Sequence, residues 1–231
     1  MKTSPPLVLF DIDGTLVRRA GPHHREALIY GIRSVMGLET TTDGIPVQGM
    51  LDPVILTAML RRAGVRLPEI RASLDAIERA AEGYYLRVCP PIADRLCPGV
   101  RAALAKLQRR EVPMGLVTGN LARIGWHKLK RAGLADYFAF GAFGDMAPNR
   151  AGLVKLAIVR ARRGGWNGKR DRISMVGDAP ADILAARQNR IRSIAVRTGI
   201  SPPGELESFE PDFLLPSLRY LRLRMLGPLR P

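Results

Sequence analysis

Short runs of apolar and β-branched residues alternate along most of the chain with longer stretches whose apolar residues recur at helical spacing. A short continuous apolar run, bounded by turn residues, is typical of a strand that is buried on both faces of a sheet. The predicted strands are LVLF (7–10), VPMGLVT (112–118), YFAFGAF (137–143), RISMVG (172–177), IRSIAV (191–196) and DFLL (212–215).

The stretches between these runs predict helices that pack on the sheet. They are GVRAALAKLQRRE (99–111), NLARIGWHKLKRAG (120–133), RAGLVKLAIVRARRG (150–164) and APADILAARQNR (179–190). Strands that alternate with helices favour right-handed crossovers into a parallel sheet. The predicted fold class is therefore α/β, with a Rossmann-like, doubly wound parallel sheet. A last amphipathic helix is expected over PSLRYLRLRMLG (216–227).

One interval, residues 17–93, breaks this alternation because it carries only helical patterns. These lie at 23–37, 52–64 and 67–88, and the proline-rich segment CPPIADRLCPG (89–99) follows them. We therefore predict a core domain of residues 1–16 and 94–231. A helical domain of residues 17–93 is inserted into it after the first strand, and we call it the helical insertion.

Composition indicates a folded globular chain and argues against disulfide-rich, secreted and membrane proteins. The chain has 231 residues, of which 46% are hydrophobic, enough for one sizeable core with an insertion. Cys89 and Cys97 lie in no metal-ligand or disulfide spacing, which favours free thiols in a reducing compartment. No apolar window reaches the length of a membrane span or a signal peptide, so a cytoplasmic protein is expected.

The formal charge of +15 raises the question of a nucleic-acid partner. The basic residues are spread along the predicted helices as pairs such as Arg61-Arg62, Arg109-Arg110 and Arg162-Arg163. No aromatic-interleaved RNA-binding signature and no zinc finger accompanies them. This distribution favours a solvated, arginine-rich surface over a dedicated nucleic-acid face.

Polar and acidic residues follow three of the predicted strands. Asp11 and Asp13 follow the first strand, Thr118-Gly119-Asn120 the second, and Gly177-Asp178 with Asp182 the fourth. Ligands of open α/β sheets bind at the carboxyl ends of the strands, so we expect these residues to meet at one edge.

Three carboxylates that converge on one point repel each other, and a divalent cation is the usual remedy. Oxygen ligands completed by water suit Mg²⁺. We expect Asp11 and Asp178 to bind the ion directly, the backbone carbonyl of Asp13 to add a third ligand, and Asp182 to act through water. Such an ion would let a phosphate dianion approach an anionic nucleophile.

Taken together, these motifs resemble those of the haloacid dehalogenase-like hydrolase superfamily. The motifs appear in order as DIDGT (11–15), VTGN (117–120), a basic residue ahead of the last strands, and GDAPAD (177–182). The helical insertion resembles a C1 cap, the family's helical domain between the first and second motifs. The resemblance covers nearly the whole chain.

The resemblance implies a role for each motif residue. Asp11 would be the nucleophile that takes phosphate as an aspartyl phosphate. Asp13 would protonate the leaving alcohol and then activate water. Thr118 Oγ and the Gly119 amide would hold phosphoryl oxygens, with Asn120 beside them as a further substrate-binding residue.

The third motif departs from the family's common Lys-Pro pattern. The corresponding segment, FGDMAPNRAGLVKLAIVRA (143–161), contains no Lys-Pro. Arg150 lies at the predicted helix start and could reach a phosphate as a bidentate donor, whereas Lys155 lies more than a turn further along. We favour Arg150 for this role.

Within the insertion, GMLDPVIL (49–56) resembles the segment of related enzymes that selects substrate. This resemblance places Gly49 and Asp52 over the site. The histidines His23, His24 and His127 show no metal-ligand spacing and are expected to be inert, and Tyr84-Tyr85 are expected to belong to the core of the insertion.

The sequence therefore predicts a Mg²⁺-dependent phosphatase that acts on a small phosphorylated metabolite, similar to the phosphoglycolate phosphatases. Sugar-phosphate mutases and nucleotide or pyrophosphate hydrolases of the superfamily share these motif residues and stay as alternatives. A nucleic-acid-binding protein on the same scaffold is an alternative of a different class, and its motivation is the positive charge.

Overall fold

The computed structural model describes residues 5–18 and 21–227. Within these ranges, a six-stranded parallel sheet forms the centre of the molecule, with the strand order β3-β2-β1-β4-β5-β6. The strands are β1 (Leu7–Phe10), β2 (Met114–Val117), β3 (Phe140–Ala142), β4 (Ile173–Gly177), β5 (Arg192–Val196) and β6 (Phe213–Leu215). Each strand lies within one of the predicted apolar runs, and the predicted α/β class is confirmed.

The helices follow the predicted order. They are α1 (His23–Met36), α2 (Asp52–Arg62), α3 (Leu67–Val88), α4 (Val100–Arg109), α5 (Ala122–Ala132), α6 (Arg150–Arg163), α7 (Pro180–Gln188) and the short α8 (Glu205–Ser208). Local signals set several ends. Gly37 and Gly133 end α1 and α5 in the left-handed conformation. The Asn149 side chain caps α6 by accepting a hydrogen bond from the Gly152 N–H at 2.9 Å.

The sheet separates two apolar layers. Val8 and Phe10 of β1 point into a cluster with α4 and α5, whereas Leu7 and Leu9 point into a cluster with α6 and α7. Successive strand residues face opposite sides of a sheet, so both faces of β1 are buried. This burial explains why the strand is continuous apolar sequence up to Asp11.

The predicted C-terminal helix over 216–227 is wrong. The segment instead forms two short 3₁₀ turns, Leu218–Tyr220 and Leu223–Leu226, joined by extended residues. Leu218, Leu221 and Leu226 are nevertheless buried against the α4 side of the sheet. Each leucine reaches the core from a separate short turn or extended residue and not from one face of a continuous helix.

The helical insertion has an apolar core of its own. Leu28 and Ile32 of α1 pack with Leu56 of α2 and Ile77 of α3, and the cluster extends onto α5. The packing of α1 to α3 on one another is the observation behind the proposed division at residues 17–93, and Val17 and Ile92 at its two ends pack in the core cluster. Among residues 5–18 and 21–227, no helix has the length and apolar character needed to cross a membrane.

Carboxylates join the insertion to the first turn of α5. The backbone N–H groups of Leu121, Ala122 and Arg123 donate hydrogen bonds to the carboxylates of Asp52 (2.8 Å), Asp145 (3.1 Å) and Glu82 (3.0 Å), respectively. The first N–H groups of a helix have no partner within the helix, and its N-terminus favours negative charge. Two of these three carboxylates come from the insertion, which is thereby fastened to the core.

These carboxylates also make the free energy of unfolding depend on pH through Glu78 of α3, which lies near them. Burial and the nearby carboxylates, Asp145 foremost, raise the pKa of Glu78 from 4.5 to about 7. The folded state therefore holds this proton more tightly than the unfolded chain does. The free energy of unfolding therefore falls as the pH rises from the unfolded pKa of Glu78 towards its folded pKa. Above the folded pKa the whole penalty of the ionised carboxylate is present.

We predict that Glu78→Gln raises the free energy of unfolding more near pH 8 than near pH 5. The difference should be about 1 kcal/mol, a value reduced because the side chain is partly exposed. Urea unfolding of both proteins at the two pH values measures it. An equal change at both pH values would show that the carboxylate carries no such penalty.

Candidate active site

A cavity of about 810 Å³ lies between the carboxyl edge of the sheet and the helical insertion. The core contributes residues that follow β1, β2 and β4, and the insertion contributes α1, α2 and the segment before α2. Nine of the ten residues that the sequence assigned to the site line the cavity. The tenth, Asp182, lies beside Asp11 and Asp178.

The acids after β1 and β4 form one buried cluster. The carboxylate oxygens of Asp11, Asp178 and Asp182 lie within 4.8 Å of one another. The register of the neighbouring strands aligns Phe10 with Val176, which brings the residues after them to the same edge. Gly14 leaves the space that Asp178 occupies, because a Cβ there would lie 2.3 Å from Asp178 Oδ2.

Burial and mutual repulsion make this cluster costly as three anions. Burial first, and then the charges of Asp11 and Asp182, raise the pKa of Asp178. Burial likewise raises the pKa of Asp11 and of Asp182, although Arg150 opposes it. A hard divalent cation among these oxygens would remove the penalty, so the donor set fits the predicted Mg²⁺.

Arg150, the first residue of α6, lies beside the acid cluster. Its Nη1 is 3.2 Å from Asp11 Oδ1 and 2.8 Å from Asp182 Oδ1. Burial lowers the pKa of the guanidinium, but the two carboxylates outweigh burial and raise it, so Arg150 stays charged. Lys155 is exposed further along α6. The structure thus places Arg150, and not Lys155, next to the predicted nucleophile.

Asp13 lies outside the acid cluster and has a cation of its own. Lys128 Nζ of α5 lies 2.7 and 2.6 Å from the two carboxylate oxygens of Asp13. Burial raises the pKa of Asp13, but the charge of Lys128 beside it outweighs burial and lowers the pKa below its ordinary value. The two aspartates of the first motif therefore lie in opposite electrostatic environments.

Asn120 connects Asp13 to Thr118. Its Nδ2 donates to Asp13 Oδ2 at 2.7 Å and to Thr118 Oγ1 at 2.8 Å, while its Oδ1 accepts from Lys128 at 2.6 Å. The predicted substrate-binding residue Asn120 is thus fully engaged in orienting the two residues on either side of it.

Lys128 is a residue that the sequence analysis missed. It lies within the predicted helix 120–133, whose lysines and arginines carry no motif spacing. A signal was present, because Lys128 lies four residues after Ile124 and four before Ala132, which places it on the buried face of α5. A lysine on such a face needs a partner in the interior.

Gly119 allows the insertion to approach the core closely. Its carbonyl accepts a hydrogen bond from the Asp52 N–H at 2.8 Å, and a Cβ at this position would lie 2.1 Å from the Met50 carbonyl oxygen. Sequence reasoning explained Gly119 by the approach of a phosphate, and the structure adds the approach of the residue 49–51 segment. Gly49 belongs to this segment, and its carbonyl accepts from Arg150 Nη2 at 3.4 Å.

Asp52 and His24 link the insertion to Lys128. Asp52 Oδ2 accepts from the Leu121 N–H and lies 2.9 Å from His24 Nε2, while His24 Nδ1 lies 3.2 Å from Lys128 Nζ. The expectation that all three histidines are inert is therefore wrong for His24, whose position in the cavity depends on folding of the insertion. Tyr85 is buried in the insertion's apolar cluster, as expected, and also faces the cavity.

Comparison with known proteins agrees with this geometry. A family model described as haloacid dehalogenase-like hydrolase matches residues 5–189. The phosphoglycolate phosphatase of Agrobacterium fabrum is 28% identical, over 91% of this chain and 88% of the relative. That of Nitrosococcus oceani is 25% identical, over 94% of this chain and 95% of the relative.

The fold is shared with solved structures. The crystal structure of CbbY from Rhodobacter sphaeroides in complex with phosphate superposes with a TM-score of 0.73 at 20% identity, covering 96% of this chain and 99% of that chain. Since the family model spans most of the chain and the motif residues converge at one edge of the sheet, this protein belongs to the haloacid dehalogenase-like hydrolases.

Proposed function

We propose that this hydrolase is a Mg²⁺-dependent phosphatase that cleaves a small organic phosphomonoester through an aspartyl phosphate. The observation that carries the proposal is the buried Asp11 carboxylate, which lies among Asp178, Asp182 and Arg150 at the floor of a covered cavity. The names of the relatives make phosphoglycolate the first compound to assay.

In the first step a carboxylate oxygen of Asp11 attacks phosphorus. The new bond joins that oxygen to phosphorus, the bond from phosphorus to the alcohol oxygen breaks, and Asp13 gives its proton to the departing oxygen. In the second step Asp13 takes a proton from water, whose oxygen attacks phosphorus and releases Asp11 and inorganic phosphate.

Cations and hydrogen-bond donors surround the transferred group in this proposal. Mg²⁺ on Asp11, Asp178, the Asp13 carbonyl and, through water, Asp182 would supply charge that offsets the repulsion between phosphate and Asp11. Arg150 is close enough to Asp11 to contact a phosphoryl oxygen there. Thr118 Oγ1 accepts from Asn120, so its own proton is free for a phosphoryl oxygen, and the Gly119 amide is a second donor.

The helical insertion forms one side of the cavity. Its fastening to α5 through Asp52 and Glu82 would exclude water while the phosphoryl group is transferred.

The metal proposal predicts that EDTA abolishes hydrolysis and that Mg²⁺ restores it. Ca²⁺ should restore little, because its longer bonds and larger coordination number do not suit a compact carboxylate site. Release of inorganic phosphate from a panel of phosphomonoesters that includes phosphoglycolate measures both effects. Full activity in a thoroughly metal-free preparation would contradict the metal site, and turnover of none of the panel would contradict the function.

We predict that Arg150→Ala lowers kcat/KM by about 10²-fold or more, because it removes a buried charge that would stabilise the transferring phosphoryl group. Lys155→Ala on the same helix is the matched control and should change kcat/KM by less than about 2-fold. Steady-state kinetics on the best substrate of the panel measure both. The opposite ranking would transfer the role to Lys155.

Asp11 and Asp13 should fail in different ways. Asp11→Asn cannot form an aspartyl phosphate, so turnover should fall to background. Asp13→Asn keeps the nucleophile but lacks the acid. Its first step should therefore slow much more for an aliphatic phosphate than for p-nitrophenyl phosphate, since p-nitrophenolate leaves without a proton.

Rapid quenching measures this difference as acid-stable, hydroxylamine-sensitive phosphate on the protein. The adduct should persist in Asp13→Asn, because no base activates water, and should be absent from Asp11→Asn. Accumulation of the adduct in Asp11→Asn, or equal slowing of the two leaving groups in Asp13→Asn, would show that the roles are assigned wrongly.

A further inference from the structure

The buried ammonium of Lys128 is the feature of the site that the proposed reaction leaves unexplained. The residue is 1% exposed. Its nitrogen lies within hydrogen-bond distance of Asp13, Asn120 and His24, at 2.6, 2.6 and 3.2 Å. An ammonium has three protons and no acceptor, so these three partners satisfy it fully.

These contacts extend across the boundary between the core and the helical insertion. Because Lys128 only donates, His24 Nδ1 must accept, and the proton of the neutral imidazole then lies on Nε2, which faces Asp52 Oδ2 at 2.9 Å. One series of hydrogen bonds therefore starts in the core and ends in the insertion, and its members are Asp13, Lys128, His24 and Asp52. It is complete only while the insertion lies against α5.

A packing role alone does not account for this lysine. Burial of an ammonium costs free energy that an apolar residue of similar length would not cost, and its pairing usually does no more than offset that cost. The partners of Lys128 are also specific, since it holds both oxygens of the proposed proton donor and the amide that orients Thr118. Among residues 5–18 and 21–227, the polar contacts of Lys128 are with Asp13, Asn120 and His24, and the acid cluster of Asp11, Asp178 and Asp182 lies apart from it.

We propose that Lys128 is a positioning residue that fixes the carboxyl group of Asp13 for proton transfer, and that His24 completes this hold when the helical insertion covers the site. Contact between the insertion and α5 is thereby coupled to the orientation of the Asp13 carboxyl group. The proposal rests on the phosphatase function proposed above and assigns Lys128 no contact with the phosphoryl group.

A difference between leaving groups tests the proposal. Lys128→Met keeps the length of the side chain and removes the ammonium. We expect kcat/KM for an aliphatic phosphomonoester to fall by about 30-fold, and kcat/KM for p-nitrophenyl phosphate to fall by less than about 3-fold, since only the first needs a correctly placed proton. Lys130→Met, an exposed lysine on the same helix, is the control and should leave both values unchanged.

His24→Ala should also lower kcat/KM more for the aliphatic substrate than for p-nitrophenyl phosphate. The loss for the aliphatic substrate should be smaller, about 5-fold, because Lys128 keeps its bond to Asp13. His24 is partly exposed, so this variant should fold even where Lys128→Met does not. His23→Ala is its control, since His23 lies at the surface near Glu26. Equal losses for the two substrates, or no loss in either variant, would overturn the positioning role.

Chemical labelling gives a readout that does not depend on activity. Reductive methylation followed by peptide mass spectrometry should modify Lys128 at least about 10-fold more slowly than Lys130 in the native protein, and faster in His24→Ala than in the native protein. Labelling of Lys128 at the rate of Lys130 would overturn the proposal. Inactivity of the native protein towards every phosphomonoester would instead refute the phosphatase function, and the positioning role with it.

Discussion

Mutual repulsion among three buried carboxylates is the constraint on which this structure depends. Asp11, Asp178 and Asp182 lie within 4.8 Å of one another at the end of two adjacent strands, where burial already disfavours their charge. The fold would be more stable with apolar residues in their place. Arg150 neutralises part of this charge, and the same three carboxylates have the arrangement that could hold a divalent cation.

A second consequence of this constraint is the separation of the two aspartates in the DIDGT motif. Asp11 stays with the acid cluster and Arg150, whereas Asp13 is drawn to Lys128, and their pKa values shift in opposite directions. The two carboxylates of this motif are thus paired with different cations, Asp11 with Arg150 and Asp13 with Lys128.

The sequence predicts much of this arrangement but not all of it. The strands could be found because both faces of the sheet are covered, which leaves continuous apolar runs, and the meeting of Asp11, Thr118 and Asp178 follows from the parallel order. The C-terminal helix failed because three leucines can reach one core by several backbone routes. Lys128 escaped because its partner Asp13 is 115 positions away in the sequence. His24 escaped because its contact with Lys128 crosses from the insertion to the core, and periodicity does not say which surface an insertion contacts.

Helix α5 explains why those missed residues matter. Its first turn receives Asp52 and Glu82 from the insertion, and two turns later its Lys128 holds Asp13. Asp52 also contacts His24, which contacts Lys128, so the fastening of the insertion and the hold on Asp13 share one set of hydrogen bonds. A displacement of the insertion that breaks the bond from Leu121 to Asp52 must also disturb the surroundings of Lys128. Because α5 also packs on the sheet, this arrangement links the position of the insertion to the position of the Asp13 carboxylate.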